Sequence, residues 1–394
     1  MVVSAGREFL AIPGPTVIPD EVLRAMHRPS TDIYSEPMTE FTRVLQRDIS
    51  ELFRSKGRSY IYIGNGHAAW EAALTNVLSR GDKVLVLESG VFAVSWGRVA
   101  SALGAEVELL PGAWNRAVRP DEVERRLRED TAHEIKAVLV VQVDTASGVV
   151  NDIEAIGRAI RAAGHPALYV VDAVASLGCM PFAMDEWGID LAMSASQKGL
   201  MGPPGLGLVV AGDRALAAHR TADMRAPYWD WTPRDGETHY QKYAGTPPLH
   251  LLYALREALD ILKREGPENS FRRHRLLGGA VRRAVEIWGS AGTMRLNILN
   301  PAECSDTVTN VAVDGFHPEV IRKYAREKCG VILGVGLGES AGVGFRIAHM
   351  GHTNAPTVLG VLGVIEMAMR ALDIPHGKGG AQGAIDYLAA NVPA

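Results

Sequence analysis

An alternation of short apolar runs with helical segments, between residues 60 and 211, is the feature that most constrains the fold of this chain. The runs have the composition of buried strands, and the segments between them place apolar residues at helical spacing. Strands that are apolar throughout and separated by helices are typical of a parallel sheet buried on both faces. We therefore predict an α/β fold with a mainly parallel sheet covered by helices. The predicted strands are residues 61–63, 83–87, 106–110, 138–143, 168–171, 191–194 and 206–210.

Changes in the residue pattern along the chain predict three parts. Residues 1–20 hold a short apolar run that prolines interrupt, and we predict an N-terminal arm there. Residues 21–265 contain the alternating strands and form the predicted large domain. A long helical stretch ends at Gly266-Pro267, which is a strong stop signal. The helices and strands beyond it predict a smaller α+β domain over residues 266–394.

Composition excludes several classes of protein. Lys+Arg 41 against Asp+Glu 45 gives a net charge of −4, which predicts neither a nucleic-acid nor an anionic-membrane partner. No stretch approaches the roughly 18 apolar residues of a membrane span, and the N-terminus has no long apolar segment. The three cysteines, Cys179, Cys304 and Cys329, lack metal-ligand spacing. We therefore expect a cytoplasmic protein with free thiols and no metal site.

Lys198 is the residue whose position points most directly to chemistry. It follows an apolar run and precedes a turn rich in glycine and proline, in SASQKGLMGPPGLG, which is a poor setting for a core lysine. Asp172 ends another apolar run, Ala-Leu-Tyr-Val-Val-Asp. Ligands of parallel sheets bind beyond the carboxyl ends of strands, where these two side chains would meet. A lysine for a Schiff base and a carboxylate for a pyridinium nitrogen are what pyridoxal phosphate requires.

Two loops add to this predicted sheet edge. Gly64-Asn65-Gly66-His67 precedes a helix, so its backbone N–H groups and the helix dipole favour a phosphate. Asp144-Thr145-Ala146-Ser147-Gly148 follows an apolar strand and offers hydroxyl groups. Each feature has a plain structural explanation, such as a turn, a helix cap or an exposed loop lysine. Because all four fall at one edge, together they predict a binding site.

The motifs that carry these residues resemble those of class V aminotransferases, in particular the alanine/serine–glyoxylate branch. The resemblance covers roughly residues 8–370 in the family's order and implies a type I pyridoxal-phosphate transferase fold. It also implies a homodimer with active sites at the subunit interface. The motifs are PGPTVIP, GNGHAAWEAAL, DTASGV, VDAVASLG, DEWGID, SASQKGLMGPPGLG, AGTPPLHLLYALREAL and FRIAHMG.

The resemblance implies roles for individual residues. Lys198 would carry the internal aldimine and shuttle the substrate proton, which suits a lysine whose pKa burial has lowered. Asp172 would pair with the ring nitrogen, and Arg346 would hold the substrate α-carboxylate through its bidentate fork. The other implied cofactor contacts are Asn65, Gly66, His67 and Gln197 at the phosphate, Phe92 on the ring, Thr145 near the ring oxygen, and Tyr243 and Thr246 from the other subunit.

Three departures from the family pattern leave the substrate side open. Asn65 stands where a serine is common, in the turn expected to hold the phosphate. Phe92 stands where the stacking aromatic is often tryptophan, and Trp96 is a rival for that role. The segment that contains Tyr34 and Glu36 replaces a sequence with histidine or arginine, and it would place both side chains over the substrate.

The predicted function is a transaminase that moves an amino group from alanine or serine to glyoxylate or pyruvate by a ping-pong mechanism. One carboxylate-binding arginine favours small donors, although Arg225 or Arg234 could also enter the pocket. An alternative is a pyridoxamine–pyruvate transaminase that uses free pyridoxamine as substrate. The changes at Asn65 and around Tyr34 keep that alternative open.

Two other functions are disfavoured. A cysteine desulfurase needs a mobile catalytic cysteine and typically a histidine before the lysine, whereas Gln197 stands there in this chain. A non-enzymatic ligand-binding role is open to any fold. The presence of both Lys198 and Asp172 weighs against it.

Overall fold

The alternating segments form a seven-stranded sheet in the computed structural model, which describes residues 3–392. A second, five-stranded sheet and a two-stranded hairpin complete the β structure of the described residues. The strands are β1 (Phe9–Ala11), β2 (Arg58–Gly64), β3 (Lys83–Leu87), β4 (Glu106–Leu110), β5 (Ile135–Val141), β6 (Val143–Asp144), β7 (Val149–Val150), β8 (Leu168–Asp172), β9 (Leu191–Ala195), β10 (Gly205–Ala211), β11 (Met294–Leu296), β12 (Val308–Val313), β13 (Val331–Val335) and β14 (Gly344–Ala348).

Helices follow most of these strands and cover both sheets. They are α1 (Asp20–Met26), α2 (Glu36–Leu52), α3 (Gly66–Val77), α4 (Val91–Leu103), α5 (Pro120–Glu129), α6 (Ile153–Ala162), α7 (Met184–Trp187), α8 (Asp213–His219), α9 (Trp231–Arg234), α10 (His239–Lys242), α11 (Leu249–Glu265), α12 (Pro267–Gly289), α13 (Glu319–Cys329), α14 (Ala355–Ala371) and α15 (Gly380–Asn391). None of the helices within residues 3–392 combines the length and apolarity needed to cross a bilayer.

The large sheet has the strand order β2-β10-β9-β8-β5-β3-β4. β10 runs antiparallel to both of its neighbours, and the other pairings in the sheet are parallel. The predicted α/β class with a mainly parallel sheet is therefore confirmed. Successive side chains of β5 enter different cores: Val138 and Val140 pack on one face, and Ala137 and Leu139 pack on the other. Such strands are apolar throughout because both faces are buried.

The smaller sheet has the order β1-β13-β14-β12-β11. Its core includes Val285 and Trp288 of α12 together with Leu362 and Ile365 of α14. β1 pairs in parallel with β13, so the N-terminal arm supplies an edge strand to this sheet. The chain passes from α11 to α12 at Gly266, whose φ of +82° is one that glycine adopts readily. The proposed division of the chain at residues 265 and 266 stays a prediction.

Candidate active site

A cavity of about 220 Å³ lies at the carboxyl ends of the strands of the large sheet. Loops that follow β2, β3, β5, β8 and β9 all contribute to it, as expected for a ligand site in a parallel sheet. Eight of the predicted site residues line it. They are Asn65, Gly66, His67, Phe92, Thr145, Asp172, Gln197 and Lys198, beside Trp70, Val141, Val143, Val174 and Ala175.

Asp172 ends β8 and is 3% exposed. Its Oδ1 accepts a hydrogen bond from the Val174 backbone N–H at 2.6 Å, and its Oδ2 accepts one from the Trp70 indole Nε1 at 2.7 Å. Burial raises the pKa of this carboxyl to about 6, although both hydrogen bonds oppose the rise. Asp172 is therefore a largely desolvated carboxylate, held on two sides, that still reaches the cavity.

Lys198 lies in the loop after β9, and its Nζ donates a hydrogen bond to the Pro13 carbonyl oxygen. Burial lowers the pKa of this amine to about 8; the Arg346 charge acts in the same direction, and the Asp172 carboxylate acts against it. The Thr16 hydroxyl donates to the Lys198 carbonyl oxygen at 2.9 Å. The arm therefore lies against the predicted catalytic lysine.

Gly14 allows this close approach of the arm to Lys198. A Cβ added at Gly14 would lie 2.6 Å from Lys198 Nζ, and the glycine φ is +99°. In the sequence, PGPTVIP predicts the end of the arm's apolar run and carries part of the family resemblance, but it does not predict a contact with Lys198. The adjacent prolines and glycine were the available signal, because such a stretch cannot continue a regular strand or helix.

The turn after β2 carries the predicted phosphate contacts. Asn65 caps α3: its Oδ1 accepts hydrogen bonds from the backbone N–H groups of His67 and Ala68, at 3.0 and 3.3 Å. The positive end of the helix dipole therefore faces the cavity. Two N–H groups of this terminus already have a side-chain acceptor. Gln197 Oε1 is buried and has no hydrogen-bond partner within residues 3–392.

Of the two aromatic candidates, Phe92 lines the cavity, whereas Trp96 lies beneath it. Phe92 is in the first turn of α4, and its backbone N–H donates to Asp144 Oδ2 at 2.8 Å. Trp96 is fully buried and stacks on Trp70, with ring centroids 5.8 Å apart. Of the two candidates, Phe92 is therefore the one that a ligand bound beside Lys198 could contact.

Asp144 is a second buried carboxyl group, to which sequence reasoning assigned no individual role. It is 0% exposed and accepts hydrogen bonds from the backbone N–H groups of Phe92, Ala93 and Ala146. Burial raises its pKa to about 6 against these bonds. Gly90 makes the approach possible, because a Cβ there would lie 2.4–2.7 Å from the Asp144 carboxyl group. Asp144 thereby joins the loop that bears Thr145 to the helix that bears Phe92.

Arg346 reaches this loop from the smaller sheet. It lies in β14 and is 7% exposed; its Nε donates to the Val335 carbonyl oxygen at 2.7 Å and its Nη1 to the Thr145 carbonyl oxygen at 3.0 Å. Burial lowers its pKa to about 10, and the charge of Asp144 opposes that shift. The two bonds fix the plane of the guanidinium group. Nη2 makes no hydrogen bond to the described residues and is available for a carboxylate.

Besides Arg346, three predicted residues do not line the cavity of their own protomer. Tyr243 is buried, and its hydroxyl shares a hydrogen bond of 3.0 Å with the Thr42 hydroxyl. Thr246 is exposed, and Tyr34 is 73% exposed. Their assignment to a site shared between subunits, and that of Tyr34 to the substrate, stay predictions.

The other two arginines considered for the pocket have different roles. Arg225 is exposed, and its Nε donates to the Ala222 carbonyl oxygen. Arg234 is 1% exposed, lies 4.3 Å over the Tyr62 ring and donates to backbone carbonyl groups that include those of Tyr228 and Lys242. Arg234 therefore organises the segment before Tyr243 and does not line the cavity.

The fold and the site together define a class of protein. A mainly parallel sheet places a lysine and an aspartate at its carboxyl edge, and a smaller sheet adds an arginine beside them. This is the arrangement of the type I pyridoxal-phosphate transferases.

Comparison with known proteins identifies the family within that class. The sequence matches the family described as Aminotransferase class-V over residues 9–352, and the chain belongs to this family. It is 41% identical to a serine–glyoxylate aminotransferase of Methylorubrum extorquens, over 98% of this chain and 97% of that protein. It is 37% identical to an L-aspartate–glyoxylate aminotransferase of Paracoccus denitrificans, over 92% of this chain and 91% of that protein.

A solved structure supports the same conclusion. The chain superposes on the pyridoxamine-pyruvate aminotransferase of Mesorhizobium loti with a TM-score of 0.92, at 27% identity and with 100% of each chain covered. The predicted family, fold and aminotransferase class are therefore confirmed. Of the residues that the structure describes, no cysteine lines the cavity.

Proposed function

We propose that this protein is a pyridoxal-phosphate-dependent transaminase that moves an amino group from alanine or serine to glyoxylate or pyruvate by a ping-pong mechanism. The observation that carries the proposal is that Lys198 and Asp172 line one cavity, with Arg346 bonded to the adjoining loop. A buried amine, a buried carboxylate and a fixed guanidinium group are the three functions that amino-group transfer to a 2-oxo acid requires.

The residues present fit the cofactor. The Lys198 amine would hold its aldehyde carbon, Asp172 its ring nitrogen, and the α3 terminus with Gln197 its phosphate. The unpartnered Oε1 of Gln197 supports a polar ligand, because buried polar groups in proteins are normally hydrogen-bonded. When bound, the cofactor supplies an electron sink for the substrate Cα.

Three side chains supply the remaining chemistry. With its pKa lowered to about 8, the Lys198 amine is partly unprotonated near neutral pH and can take and return a proton at Nζ. Asp172, with its pKa near 6, is mostly ionised at pH 7 and can hold a protonated ring nitrogen. Arg346 can bind the substrate α-carboxylate through Nη2 and orient the Cα bond toward Lys198.

The lining of the cavity favours a small amino donor. Val141, Val143, Val174 and Ala175 supply its apolar wall, and Lys198 is the only lysine or arginine among the described residues that line it. A second substrate carboxylate would therefore have no partner there. Since one relative is named for aspartate and another for serine, donor choice is the sharpest question to measure.

A second candidate, the pyridoxamine–pyruvate transaminase, rests on one specific observation. The Asn65 side chain occupies the His67 and Ala68 N–H groups that a cofactor phosphate would otherwise use. A structural neighbour bears that enzyme's name. Under this candidate, free pyridoxal would bind at least as tightly as its phosphate ester.

We further propose a cytoplasmic homodimer in which Tyr243 and Thr246 serve the partner's site and Tyr34 lies over the substrate. Thr246 and Tyr34 are exposed in one protomer. Their side chains are therefore available to a second copy of the chain. Sedimentation of the purified protein would measure the assembly.

The test begins with pyridoxal phosphate and free pyridoxal, each added to purified protein. We expect a phosphate-dependent absorbance band, reduction of the adduct by borohydride, and a mass label on Lys198. The Lys198→Ala variant is the control and should take no label. A donor-by-acceptor screen then compares alanine, serine and aspartate with glyoxylate and pyruvate. No lysine adduct in cofactor excess would defeat the proposal, and tighter binding of free pyridoxal would favour the second candidate.

A further inference from the structure

Two buried tryptophans behind the cavity differ in one respect. Trp70 in α3 and Trp96 in α4 are 2% and 0% exposed, and their rings stack at 5.8 Å with an interplanar angle of 16°. The Trp70 indole N–H donates to Asp172 Oδ2 at 2.7 Å. The Trp96 indole N–H has no partner within residues 3–392. The two tryptophans are therefore packed alike but differ in hydrogen bonding, because only Trp70 bonds to Asp172.

The Trp70 ring has little freedom to turn away from Asp172. Trp96 lies against one side of it, and the His67 ring is 4.5 Å from it, centroid to centroid. An indole N–H is a donor only, so it cannot take a proton from the carboxyl group. It stabilises the ionised form of Asp172 and fixes which oxygen faces the cavity.

We infer that Trp70 is a positioning residue for the reaction: its indole N–H holds Asp172 as an oriented carboxylate opposite the place of the cofactor ring nitrogen. The inference rests on the proposed function, since it assigns Asp172 to that nitrogen. It adds a residue that the motif GNGHAAWEAAL carried without a role.

The charges around Asp172 make this donor important. Asp144 faces it as a like charge and raises its pKa, whereas Lys198 lowers it. Arg346 in β14 lowers the pKa of Lys198, and Lys198 in turn lowers the pKa of His67 in α3. Burial is the largest influence on Asp172 and also raises its pKa. Without the indole N–H, only the Val174 N–H and the charge of Lys198 would remain to oppose protonation.

The experiment compares Trp70→Phe with Trp96→Phe, a matched pair in which each change removes one indole from the same stack. In cofactor-free protein labelled with ¹³C at the aspartate carboxyl carbons, Asp172→Asn assigns the Asp172 signal. We expect Trp70→Phe to raise the pKa of Asp172 by about one unit, since hydrogen bonds to charged groups are worth that much. Trp96→Phe should titrate like the wild type.

Loaded protein supplies two further measurements. With ¹⁵N in the cofactor ring, the ring-nitrogen signal of Trp70→Phe should move toward its unprotonated position. The kcat should fall about tenfold, while KM for the amino donor stays within about twofold, because Arg346 is untouched. Trp96→Phe should leave both quantities unchanged.

The outcomes separate this inference from the proposed function. If the wild type takes no cofactor, the proposed function fails. If Trp70→Phe binds cofactor but its Asp172 titration matches that of Trp96→Phe, only the inference about Trp70 is overturned. Should Trp70→Phe not fold, the wild-type indole signals decide: one N–H must shift as Asp172 titrates and lose that shift in Asp172→Asn. Seven indole signals, all insensitive to Asp172, would also overturn it.

Discussion

The inner wall of the cavity and its rim are built in different ways. The wall residues, among them Lys198, Asp172 and the turn at Gly66, lie at the carboxyl ends of strands of one sheet. Arg346, which bonds to the Thr145 loop beside the cavity and which we call the rim, comes from a second sheet, whereas Thr246 is exposed at the surface. One sheet therefore places the groups to which we assign the cofactor. Substrate contacts depend on how a second sheet, and in our proposal a second subunit, lies beside it.

The largest effect is expected from removing the reactive group of the wall. Lys198→Ala should lower transamination by about 10³-fold or more, because the nucleophile and the proton-transfer group are both lost. Single-turnover absorbance changes with alanine or serine would measure it. The melting temperature of the cofactor-free variant should stay near that of the wild type. Activity within tenfold of the wild type would place the chemistry elsewhere.

A change at the rim should act on the substrate and spare the cofactor. Arg346→Lys keeps the charge but loses the fork and the bond to Val335, so kcat/KM for amino donors should fall about 100-fold. Steady-state kinetics would measure the loss in kcat/KM, and cofactor affinity, measured separately by fluorescence, should stay unchanged. Equal losses in kcat/KM and in cofactor affinity would mean that Arg346 serves the cofactor as well as the substrate.

Lowering the pH should destabilise the smaller sheet and stabilise the large sheet. His274 and His349, beside the smaller sheet, have pKa values lowered by burial to about 4 and about 3. As pH falls below 6.5, these histidines bind protons in the unfolded chain but not in the native protein. The native state therefore loses stability. Asp172 and Asp144, with raised pKa values of about 6, instead bind protons in the native state and gain stability as pH falls from 6 toward 4.

Each such group changes the opening equilibrium by up to about tenfold per pH unit within its window. Native-state hydrogen exchange at pH 7 and pH 5 would follow each sheet separately. We expect β12 and β14 to lose protection relative to β8. Uniform loss across both sheets would contradict this difference in titration.

The smallest effect is expected at Thr246, which lies outside the cavity of its own protomer. Thr246→Ala should weaken cofactor binding only about threefold, the effect of one lost hydrogen bond. Mixing it with Lys198→Ala provides the sharper measurement, because the lysine-bearing site of a mixed dimer regains Thr246 if that residue serves the partner. The cofactor affinity of that site, measured from its absorbance band, should then return to the wild-type value. An affinity that stays about threefold weaker after subunit exchange has been verified would assign Thr246 to its own protomer.

The same division explains what could be predicted from the sequence. Continuous apolar runs mark buried strands, so the large sheet and the residues at its carboxyl edge were predictable. The reversed direction of β10 was not, because an apolar run carries no direction. β14 was missed as a strand, since Arg346 interrupts its short apolar pattern and the partner strands alone define it.

Side-chain geometry within the site could not be predicted from the sequence either. Asn65 was identified as a departure from the family, but its capping bonds depend on the turn conformation. Arg234 was a candidate for the pocket until its bonds to backbone carbonyls placed it in the core. The bond from Trp70 to Asp172 joins residues far apart in the chain, and only the packing of α3 on the sheet brings them together.

The arm has a practical consequence for anyone who tags or trims this protein. Residues 9–11 form a strand of the smaller sheet, and Pro13 accepts the hydrogen bond of Lys198. A cut just before Thr16 would therefore remove an edge of one sheet and loosen the reactive amine of the other. A bulky N-terminal fusion placed close to residue 9 would disturb the same strand and the same contact with Lys198. Expression vectors that extend the other end of the chain are the safer choice.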